Sequence, residues 1–178
     1  MRVPTFAHIA LTFALSAPIF CQVHDRDPLN DKEVDQLRET AIEPEKRLKL
    51  MVEFTKARML AIDQLRSDPK MAKDRGKHIH DLLEDLGTLV DEIDDNVDDY
   101  NQREADLRKP LKEIVQMDSE FQAKLRELKS AEQDPKSVDE ASDYKFALAD
   151  AVESVDQSAT TTRKLLEEQN VKFAKKKK

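Results

Sequence analysis

Apolar side chains recur every three or four residues along most of this chain, and that spacing commits it to helices. From Asn30 onward, Val34, Leu37, Ala41, Leu48, Met51, Val52, Thr55, Met59, Ile62 and Leu65 fall on one face of a 3.6-residue helix. A second stripe runs Ile79, Leu82, Leu83, Leu86, Leu89, Val90, Ile93, Val97 and Tyr100. The third is Leu111, Ile114, Met117, Phe121, Leu125 and Leu128, and the fourth Ala141, Tyr144, Leu148, Val152, Val155, Ala159, Thr162 and Leu166. A sheet is poorly supplied, because the 178 residues include two glycines, two tyrosines and no tryptophan. A charged fraction of 38% would also suit a disordered chain, but the periodic apolar residues decide against that. The expectation is an all-α fold, either an antiparallel three- or four-helix bundle or an elongated helical coiled coil.

Start and stop chemistry brackets the helices. Asn30 with Glu33, and Ser137 with Glu140, have the spacing of capping boxes. Pro44 interrupts the first stripe and predicts a kink or a break there. The first helix ends near Pro69, and the polar stretch 69–76, closing on Gly76, reads as a connection. Gly87 inside the second stripe suggests a close helix–helix approach. Pro110 either kinks the second helix or sits in the first turn of a third. Asp134-Pro135 is a break, and the run Ala159–Thr162 is a weak helix former expected to loosen the last helix.

Residues 1–21 have the layout of a secretory signal peptide. Arg2 precedes an apolar run, followed by small residues and then the polar linker 22–29. Cleavage fits after Ser16 or after Cys21, which predicts a periplasmic or extracellular protein; an uncleaved membrane anchor is the alternative. Cys21 is the one cysteine, so no intramolecular disulfide forms. The helical domain then covers 30–171, and 172–178 is a basic tail.

The formal net charge of −7 argues against nucleic acid as a partner. No nucleophile elbow, glycine-rich phosphate loop or zinc-protease motif is present, so no catalytic residue is assigned and the expected protein is not an enzyme. No cofactor is expected either, because no haem-attachment signal and no Glu-x-x-His pair occurs. The chemistry concentrates in Asp81–Gln102, where nine carboxylates occur with no lysine or arginine. Such crowding calls for compensation by basic residues across the bundle, with Lys46, Arg47, Lys49, Lys56 and Arg58 at hand, or by a cation or a cationic partner. Candidate metal ligands are His78, His80, Glu84, Asp91, Asp94, Asp95 and Asp98. The pattern fails as an EF-hand, with Asp99 where glycine is required and Ala105 where glutamate is. The leading expectation is therefore an exported, non-enzymatic binding or structural module acting through helix–helix contacts with a protein partner, itself or another. A cation- or cofactor-binding bundle built on the acidic second helix is the alternative. The basic tail offers weak contact with anionic membranes or wall polymers.

Overall fold

In the computed structural model, which describes residues 26–131 and 138–175, Asn30 opens the first helix, α1 (Asp31–Glu39). Its side chain accepts from the backbone N–H of Lys32 and Glu33, and the Glu33 carboxylate accepts in return from the Asn30 N–H at 3.0 Å. Both halves of the predicted capping box are made. The same Glu33 carboxylate receives two hydrogen bonds of 2.6 Å from Arg58, with both side chains largely buried. Arg58 lowers the Glu33 pKa, so the cap residue also ties α1 to the next helix as a stable anion. Asn30→Ala is expected to cost about 1 kcal/mol. The loss should appear as faster amide exchange across α1 while the later helices keep their protection.

The proline ambiguities resolve as breaks. The stretch read as one helix is two, because Pro44 occupies the first position of α2 (Pro44–Ser67), where its missing N–H costs nothing. Ala41 and Ile42 consequently fall in the turn, so Ala41 is exposed instead of joining the stripe, and Ile42 beside it is 91% exposed. A 3₁₀ turn, Pro69–Met71, follows under the Asp68 side chain, which accepts from the Lys70 N–H. The helix α3 (Arg75–Gln102) starts before Gly76, so this glycine belongs to its first turn and not to the connection. It ends with Glu104 in the left-handed region, φ 61°, while Glu104 and Ala105 bond back to Asn101 and Tyr100. Pro110 is the third residue of α4 (Arg108–Ala131). The last helix, α5 (Val138–Lys175), runs unbroken through the threonine run, where Thr160 and Thr161 hydroxyls bond to the carbonyls of Asp156 and Gln157. The predicted loosening is absent. The signal segment with Cys21, the break at Asp134-Pro135, Ser137 and Lys176–Lys178 lie outside the described residues.

Every described helix contributes its apolar stripe to one core, and there is no strand among the described residues. Leu48, Met51, Ile62, Leu83, Leu86, Ile93, Leu111, Ile114, Phe121, Leu148 and Val155 are essentially inaccessible to solvent. The helix α2 packs on α3 and α4, and α5 packs on the same two, so α3 and α4 face each other across the bundle. Cross-helix pairs fix the directions. Glu45–Lys109 and Asp63–Lys124 make α2 parallel to α4, while Arg47–Asn96 and the proximity of Arg58 to Asp85 make α3 antiparallel to α2. Asp94–Ser158 and Asn101–Gln169 make α5 parallel to α3. Buried Gln169 secures the crossing between α3 and α4, accepting from the Leu107 N–H and donating to the Ala105 carbonyl.

Candidate functional site

Helical geometry divides the acidic run of α3 by the neighbour each carboxylate faces. On the α2 side, Arg26 bonds to Asp85 at 2.6 Å and lies 3.6 Å from Asp81. Arg47 donates to Asn96 and draws down the pKa of Glu92, although burial leaves that group raised. At the helix end Asp99 pairs with Arg103. The expected compensation by the basic stretch is therefore partial. Lys46 and Lys49 pair with Glu43 and Glu53 of their own segment and Lys56 with Glu120 of α4, leaving Arg47 to reach α3 directly, while Arg58, bonded to Glu33, acts on Asp85 only through its charge.

On the α5 side the balance fails. Asp91, Asp94, Asp95 and Asp98 face α5, which adds Asp150 and Glu153. Among the described residues, none of these six makes an ion pair with a lysine or arginine. They line two adjoining hollows of about 420 and 380 Å³ that share Asp94, Asp95 and Gln157, forming one groove between α3 and α5. Lys164 enters at the far end beside Glu168.

Behind the groove lies a group that the sequence analysis did not single out. Asp118 of α4 is 0% exposed. Its Oδ2 is 3.4 Å from the Ser158 hydroxyl of α5, which lies 2.8 Å from Asp94 Oδ1. Asp118 Oδ1 is buried with no hydrogen-bond partner. Burial pushes the Asp118 carboxyl up to about 7, and the nearby Asp94 charge adds to the rise against the pull of Ser158 and Arg163. Burial likewise pushes Asp94 up to about 6, with Asp91, Asp98 and Asp95 adding to the effect. The available signal was positional: Asp118 is four residues after Ile114 and three before Phe121, so it interrupts an apolar stripe.

The histidine candidates are elsewhere. His80 Nε2 is 3.2 Å from Glu84, and donor atoms of His80, Asp81 and Glu84 lie within 4.8 Å of one another. His78 turns away into a cleft of about 470 Å³ between α2 and α3, beside Met71 and Leu82. Eleven helical steps separate His80 from Asp91, roughly 16 Å along the axis, so the histidines and the groove acids form separate groups. Compared with protein-family models, with curated proteins and with solved structures, the chain gives no match.

Proposed function

We propose that this is an exported, non-enzymatic binding protein whose groove between α3 and α5 receives a basic segment of a partner protein. The observation that carries the reading is the acidic lining of this groove. Four carboxylates of α3 meet two more on α5, and the described fold brings them no ion-pair partner. Like charges brought together in this way destabilise the free bundle slightly, and a cationic occupant relieves that repulsion. A groove between parallel helices also suits a helical guest, which keeps the interaction in the helix–helix class. Export is supported by the layout of residues 1–21, and no helix among the described residues is long and apolar enough to cross a membrane.

The test is a fluorescence-anisotropy titration with a labelled lysine/alanine helical peptide and its glutamate/alanine counterpart. The basic peptide is expected to bind, to weaken as salt rises, and to lose at least about tenfold in affinity when Asp95→Lys and Glu153→Lys are combined. Both side chains are exposed, so the double variant should fold normally. Equal affinity for the original and reversed grooves would remove the proposal.

A further inference from the structure

We propose that the floor of this groove, where Asp94, Asp118 and Ser158 converge from three helices, is a site for one hard divalent cation of the Ca²⁺, Mg²⁺ or Mn²⁺ class. The decisive observation is the orphaned oxygen, not the density of acid. A buried polar atom without a partner loses its hydration and gains nothing in return, and native interiors contain few of them. Asp118 Oδ1 is such an atom, on a side chain entirely removed from solvent. The Ser158 hydroxyl cannot satisfy it. That hydroxyl has one proton, spent on Asp94 at 2.8 Å, and it approaches Asp118 through the other carboxylate oxygen.

The donor chemistry selects the ion. Two carboxylates and a hydroxyl supply oxygen alone, which favours hard cations over those that seek imidazole or thiolate. Two carboxylate charges match a dication. Nearby protein cations do not fill the place: Arg163 of α5 directs its guanidinium to Ser119 and Gln122 on the outer surface of α4. Asp94 lines the groove, and Asp118 and Ser158 lie buried directly behind it, so the proposed entry route runs past Asp94. Because the three donors come from α3, α4 and α5, occupancy would tie together the two helices that otherwise only face each other across the core. The inference rests on the groove admitting cations, as does the reading above, but it does not need the basic partner.

Thermal unfolding of the full chain with Ca²⁺, Mg²⁺ or Mn²⁺, against sodium chloride of equal ionic strength, tests it. Metal at a hundred times its Kd is expected to raise Tm by about 5–10 °C. Asp118→Asn should abolish the rise, whereas Asp150→Asn with Glu153→Gln, which leaves the floor intact, should retain it. Mn²⁺ binding followed by electron paramagnetic resonance gives a readout independent of stability. The inference is overturned if the wild-type chain binds no Mn²⁺, or if Asp118→Asn keeps the metal-dependent rise. Peptide binding that persists without any metal effect removes this site alone, and a metal effect without peptide binding removes only the partner.

Discussion

In metal-free buffer the protein is expected to lose stability as pH rises from about 5 to 8, the reverse of ordinary acid denaturation. The cause is Asp118, whose carboxyl is pushed up to about 7 in the fold from an ordinary value of 3.8. In the unfolded chain the group loses its proton near pH 4, while in the bundle it holds that proton until pH 7. The folded state thus binds more protons throughout this window, and each rise in pH works against it. The full difference corresponds to about 4 kcal/mol, reached only above pH 7. Asp94, raised to about 6, pushes the same way, as do Asp85 and Glu92, whose pKa values burial also raises. Glu33 acts oppositely, since Arg58 lowers its pKa, but its contribution disappears only at more acidic pH. Between pH 5 and 8 the expected fall in Tm is about 10 °C.

Asp118→Asn isolates the cause. The amide is isosteric with the protonated acid and can donate to Ser158 while Ser158 continues to donate to Asp94. The variant should match the wild-type Tm near pH 5 and exceed it at pH 8, flattening most of the profile. A wild-type Tm that is level or rising across this window, or an Asn variant with the wild-type slope, would show that the buried carboxyl is solvated by some other means.

The helices themselves were legible because their determinants are local. The spacing of three and four, the Asn30 box and the positional habits of proline act within a few residues. Even Pro44 gave its location, and only the choice between kink and break needed the tertiary context that turns Leu48 inward and leaves Ile42 outside. Which stripe meets which was not legible. The acidic run reads as one feature in sequence, yet along a helix Asp85 and Asp94 face different neighbours. Arginines meet the first, and α5 brings further acid to the second. Asp118 carried a signal in its stripe position, but its meaning depends on Ser158, forty residues away. No local pattern encodes that meeting.

The two glycines of α3 should respond to alanine with opposite signs. Neither has positive φ, so what differs is space, not backbone conformation. A Cβ on Gly76 would lie 2.6 Å from Asp143 Oδ2 and 2.7 Å from the Glu140 backbone carbonyl. The Asp143 carboxylate can rotate away, but the carbonyl moves only if the start of α5 moves. That displacement would also strain the Arg75–Glu140 ion pair, 3.3 Å long at the same crossing. Gly76→Ala is therefore expected to cost roughly 3 kcal/mol, lowering Tm by about 5–10 °C. The close approach that the sequence suggested for Gly87 is tighter still at Gly76. At Gly87 a Cβ would meet Ala151 and Ser154 at 3.9 Å, an ordinary contact. Alanine there should add about 1 kcal/mol of stability, because glycine in a helix interior forfeits that much in backbone freedom. Chemical denaturation of the two variants under identical conditions decides the matter: if Gly76→Ala is as stable as Gly87→Ala, α3 and α5 do not meet at Glu140 as closely as the packing requires.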